Sequence, residues 1–121
     1  MRNARPVYLD LLKIRQPLPA VVSIFHRVSG ALLFLALPLA LYLFQSSLGD
    51  ARSYQALRES VAIRLALFFV LVFYGYHFVA GLRFLLFDLH RPGLYRIARA
   101  SALWVLIAAA AIAVSAGAWL W

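Results

Sequence analysis

Cysteine is absent from the chain of 121 residues, which excludes disulfides, thiolate metal sites and iron–sulfur ligation by this polypeptide. Acidic side chains are nearly as scarce, with four Asp and Glu against twelve Lys and Arg and a formal charge of +8. None of the four (Asp10, Asp50, Glu59, Asp88) falls deep in an apolar run. A mid-membrane carboxylate of the kind a proton-coupled transporter uses is therefore missing. Charge of either sign makes up only 13% of the residues, about half the share usual in a soluble domain.

What is there is apolar. The chain is 65% hydrophobic with a mean hydropathy of +0.87, and so short a chain cannot hide that much apolar surface in its own interior. It reads as a membrane protein. The pI near 10.9 would suit nucleic acid only if the cations formed a patch on a soluble surface. Here the arginines flank apolar runs instead, as cations that orient membrane spans do. Lipid is the expected surroundings and no nucleic-acid partner is expected.

Residues 1–18 are polar and proline-broken and read as an arm along the cytoplasmic membrane surface. They lack the apolar core of a secretory signal. Pro17 and Pro19 suit the first turn of a helix. Val28 to Gly49 then gives 22 residues without charge, enough to cross the hydrocarbon core. Pro38 interrupts that run. Gln45 to Glu59 read as a polar connection with Ser46, Ser47, Gly49 and Asp50 as turn residues. Leu65 to Leu82 gives 18 uncharged residues, and His90 to Arg99 form a second connection around Pro92-Gly93. The last run, Ala100 to Trp121, has 22. Its Ala108 to Ala111 stretch, with Ser115 and Gly117, reads as helix-packing surface, and Trp104, Trp119 and Trp121 as interfacial belts.

The expectation is an all-α membrane protein in one domain, 1–121, with spans at about 20–48, 62–88 and 100–121. Basic residues number five at the N-terminal flank, three around the first connection and four around the second. The positive-inside rule thus puts the N-terminus in the cytoplasm and the C-terminus outside. A bacterial inner membrane fits.

Two polar clusters interrupt the apolar runs. His77, Gly81, Phe84 and Asp88 share one face of the second span, and Ser23, His26, Arg27 and Gly30 fall on one face of the first. A histidine at membrane depth is costly to desolvate and reads as functional by default. A haem suits it: an apolar macrocycle that takes an axial nitrogen, a small residue such as Gly81 beside it, and cations such as His26 and Arg27 for its propionates. The plain alternative is a histidine that only hydrogen-bonds across the bundle. His77 stands six residues before Arg83, roughly 9 Å inward of it at about 1.5 Å per residue, whereas His26 adjoins a charged arginine at the interface. That difference in depth argues against one iron shared by both imidazoles and for a second ligand from another chain. Arg27 and Arg83 could also be snorkelling anchors, Ser23 a first-turn cap, and Asp88 a partner for Arg83 or Arg91. Tyr74 and Tyr76 read as lipid-facing or packing residues.

Three segments in order resemble the cytochrome b556 membrane-anchor family of succinate dehydrogenase, the C subunit of respiratory complex II. They are Arg5-Pro6-Val7-Tyr8-Leu9-Asp10-Leu11, Ser23-Ile24-Phe25-His26-Arg27-Val28-Ser29-Gly30, and His77-Phe78-Val79-Ala80-Gly81-Leu82-Arg83 running on to Asp88. The resemblance implies that the spans pair with a second anchor subunit in a helical bundle, where His77 is an axial ligand of a haem b whose other ligand that subunit supplies. It implies that Ser23 and Arg27 line a ubiquinone site, with His26 and Arg27 near the propionates. Arg83 and Asp88 would join the polar network where an iron–sulfur subunit and a flavoprotein dock. FAD and iron–sulfur clusters would belong to those partners. The chain would be a non-autonomous subunit of a succinate:quinone oxidoreductase, with no catalytic residue of its own. One departure is Phe84, where the family often has histidine. A fumarate-reductase anchor, or a haem-free structural or small transporter subunit, is the alternative.

Overall fold

The computed structural model describes residues 14–89 and 97–121. Most of the expected cytoplasmic arm, including the segment Arg5 to Leu11, and the turn at Pro92-Gly93 lie outside them. The described residues form helices α1 (Leu18–Ser47), α2 (Ala51–Glu59), α3 (Val61–Leu89) and α4 (Ala98–Leu120), with no strand. Of these, α1, α3 and α4 are long and apolar enough to cross a membrane.

Each boundary has a local cause. Pro17 caps α1 in extended backbone and Pro19 sits in its first turn, where a missing N–H leaves nothing unpaired. The Pro17 carbonyl accepts from Ala20 and Val21. At the other end Ser46 and Ser47 are not turn residues. They complete the last turn of α1, their hydroxyls donating back to the Tyr42 and Phe44 carbonyls at 2.9 and 2.6 Å. The first connection is likewise more ordered than its composition suggests. Asp50 Oδ1 accepts from the Ser53 amide at 2.7 Å, and this N-cap starts a nine-residue helix, α2.

Very little is buried. Val22, Tyr76, Ala80, Ala102 and Val105 form the core, where α1, α3 and α4 meet. Small residues let the helices approach, and a Cβ on Gly75 would stand 2.8 Å from Ile112. The face α4 turns inward is Ala102, Val105, Ala109 and Ala116. The expected Ala108–Ala111 surface is only partly used, since Ala110, Ala111 and Ser115 point outward. The period of 3.6 residues per turn, not the local density of alanine, selects the seam. Phe34, Leu35, Val114 and Trp119 are all more than two-thirds exposed, a surface that water would not support and lipid does.

Candidate functional site

The polar residues of α1 and α3 meet in one place. The two helices are antiparallel, and His26 lies opposite Gly81 while His77 lies opposite Gly30. Four residues forward on α1 thus correspond to four back on α3. A Cβ on Gly30 would come within 2.7 Å of His77 Cε1, and one on Gly81 within 3.4 Å of His26 Nε2. Each imidazole fills the space that the facing glycine leaves. Between them the rings stack, centroids 4.1 Å apart and planes within 8°.

Hydrogen bonds fix one ring. Ser29, buried on α1, donates its hydroxyl to the His26 carbonyl at 2.9 Å. The same carbonyl lies 3.0 Å from His77 Nδ1, and Ser29 Oγ lies 3.2 Å from it. A carbonyl oxygen can only accept, so these partners assign the proton to Nδ1. The lone pair is left on Nε2, the usual arrangement of a metal-ligating histidine whose other nitrogen is tied to a carbonyl. Stacking covers ring faces, whereas coordination uses the ring edge, so the two are compatible.

The depth argument separated the two histidines; the rings are instead in contact. Sharing one iron is opposed by orientation. Two axial ligands must point nitrogens at each other across a metal, and rings stacked face to face do not. Among the described residues no group of three or more His, Cys, Asp or Glu could hold a metal ion. What this site offers is a single oriented nitrogen, which suits a metal already held by a macrocycle.

The other candidates divide. Phe84 packs edge-on to His26 with centroids 5.2 Å apart, so it serves the imidazole pair by packing. Ser23 is half-buried and Arg27 exposed on the outer side of the same turns. Asp88 is exposed near the end of α3. Arg83, expected among the docking residues, is only 8% exposed. It donates from Nε to Ser101 Oγ at 3.0 Å and from Nη2 to the Ala98 carbonyl at 3.1 Å. Its guanidinium also lies 4.7 Å from the Phe87 ring centre. Arg83 thereby ties the end of α3 to the first turn of α4.

Ser29 and Ser101 carry no role in the sequence reading, and Tyr76, of the two readings it had, is a packing residue. Tyr76 is buried and donates to the Val22 carbonyl at 2.8 Å, one turn from the imidazoles. The available signal for Ser29 was its place between His26 and Gly30, three residues after the histidine.

Three helices long and apolar enough to cross a membrane, two of them meeting at a hydrogen-bonded imidazole, define an α-helical membrane protein. Residues 1–117 match the family described as Succinate dehydrogenase/Fumarate reductase transmembrane subunit, and the chain belongs to it. It is also 37% identical over 125 residues, covering 100% of both chains, to the succinate dehydrogenase cytochrome b556 subunit of Coxiella burnetii (strain RSA 493 / Nine Mile phase I).

Proposed function

We propose that this chain is the membrane-anchor cytochrome b subunit of a succinate:quinone oxidoreductase. It would bind haem b against a second anchor subunit and complete a ubiquinone site that receives electrons from an iron–sulfur subunit. The carrying observation is the His77 ring, with Nδ1 tied to the His26 carbonyl and Ser29 and Nε2 left with a lone pair. The cytochrome name of the Coxiella relative supports the same reading.

Haem b, when bound, would supply one-electron transfer. His77 Nε2 would hold its iron, and the hydrogen bonds at Nδ1 keep the ring from turning. Gly30 and Gly81 give the imidazoles their room. His26 and Arg27 would face the carboxylate arms. Ser23 and Arg27 would donate hydrogen bonds to a quinone carbonyl, whose oxygen gains negative charge on reduction. Asp88 would contribute to docking of the iron–sulfur and flavoprotein subunits, while Arg83 holds α3 and α4 in place beneath it. The chain would lie in a bacterial inner membrane with its N-terminus cytoplasmic and its C-terminus periplasmic. The family description also spans fumarate reductases, in which electrons run the other way; partner potentials set that direction.

The test is spectroscopic. Dithionite reduction of the purified complex is expected to give a b-type α-band, and His77→Leu to remove or weaken it. Full haem retention in that variant would refute His77 as an essential ligand. Arg27→Ala is expected to lower quinone reduction while succinate-driven dye reduction persists. Equal loss of both activities would refute the quinone assignment.

A further inference from the structure

At the end of the bundle opposite the imidazole pair, a cleft of about 750 Å³ opens between the C-terminal ends of α1 and α4, the start of α3, and α2. This falls within the range of about 300–1,000 Å³ typical of small-molecule sites. Its walls are largely apolar, with Leu43 and Phe44 from α1, Leu67 from α3, and Trp119 and Trp121 from the C-terminal end of α4. Ala40, also in the wall, precedes the last residue of α1 by seven positions. The cleft therefore runs about 10 Å inward from the helix end at about 1.5 Å per residue.

The mouth is cationic. Arg58 and Arg64 both line it. Arg64 Nε donates to the Arg58 carbonyl at 2.8 Å, which brings the two residues together across the α2–α3 junction. That acceptor is a neutral carbonyl, so the bond orients the Arg64 guanidinium without neutralising it. Its terminal amino groups remain able to engage an anion as charge-assisted donors. Indole rings beside such cations mark the level where headgroups meet hydrocarbon.

We propose that this cleft is a binding site for an anionic phospholipid, its phosphate on Arg58 and Arg64 and an acyl chain along Leu43, Phe44 and Leu67. A neutral amphiphile would bring the two guanidiniums no counter-charge. A free phosphate would leave the apolar depth unfilled. The amphiphile's two parts match the two parts of the site.

Native mass spectrometry of the detergent-solubilised complex tests this. Delipidated complex is incubated with phosphatidylglycerol, with phosphatidylcholine of the same acyl chains, or with inorganic phosphate. Preferential retention of phosphatidylglycerol is expected, and the double substitution R58Q/R64Q should cut that preference about tenfold, whereas R58K/R64K keeps most of it. Equal retention of the two lipids, as when a partner subunit fills the cleft, would overturn the proposal. So would a preference unchanged in R58Q/R64Q, or full displacement of lipid by millimolar phosphate. Should R58Q/R64Q fail to assemble, Trp119→Ala removes a wall of the cleft and leaves the cations in place. It should weaken retention of both lipids while the order of preference stands; undiminished retention would overturn the proposal.

Discussion

A methyl group added at Gly30 would stand 2.7 Å from His77 Cε1, closer than side-chain carbons approach one another, while one added at Gly81 would stand at 3.4 Å from His26 Nε2. The two glycines hold equivalent places, each four residues after a histidine, yet only the first admits no Cβ without movement. The His77 ring cannot swing away freely, because its Nδ1 is tied to Ser29 and the His26 carbonyl. On the proposed haem role of His77, Gly30→Ala is therefore expected to displace its Nε2 and weaken haem binding at least tenfold, within the range of about 10–100-fold known for shells around metal ligands. Gly81→Ala should leave haem content close to that of the parent. Haem-to-protein ratios of the two purified variants check this, and equal losses would show that His77 contact is not what Gly30 provides. The histidines and glycines were legible in the sequence, since helical spacing alone puts each pair on one face. Their reciprocal stacking was not. Spacing along a helix says which residues share a side, but the register between α1 and α3 is a tertiary fact that no single run of sequence contains.

At the scale of elements, α2 shows where composition misleads. Its sequence is polar, follows Gly49 and Asp50, and spans nine residues, so intrinsic propensity alone would not sustain it. What starts it is the Asp50 cap. Hydrogen bonds from the Ser53 hydroxyl and amide hold the Asp50 carboxyl below its ordinary value. A depressed folded-state value means that the cap contributes fully above the unfolded carboxyl's range and is lost as pH falls through the folded one. Protection of the Ser53 amide from hydrogen exchange, corrected for intrinsic rate, should thus stay level near neutrality and drop in acid. Asp50→Asn keeps an acceptor without a titrating group, so its protection should be flat with pH, and Asp50→Ala should lose protection throughout. An acid drop persisting in Asp50→Asn would assign the effect elsewhere. The three long helices, by contrast, were plain from their uncharged runs, because lipid imposes length and polarity on every span. Arg83 lies between these cases. Its sequence position, at the end of an uncharged run, fits a surface anchor, and only the approach of Ala98 and Ser101 turns it inward.

For the whole molecule, crossings by α1, α3 and α4 would put the residues before α1 and those after α4 on opposite sides of the membrane, with α2 on the side of the C-terminus. Which side that is depends on a modest imbalance. Five basic residues precede the uncharged run of the first span, which starts at Val28, and four surround the second connection, against three, offset by Asp50 and Glu59, around α2. The missing cysteine makes the orientation directly measurable, because any single introduced thiol is the only one in the chain. Gln55, exposed on α2, and Asn3, in the N-terminal arm, serve as opposite reporters. With a membrane-impermeant maleimide on intact spheroplasts, Gln55→Cys should label at once and Asn3→Cys only after permeabilisation. The reverse pattern would turn the molecule over, carrying the imidazole pair to the outer half of the membrane and away from any electron donor docked in the cytoplasm. The proposed quinone assignment at Ser23 and Arg27 would fall with it, since both stand in the first turns of α1, at the end of the bundle that the proposal turns toward an iron–sulfur subunit.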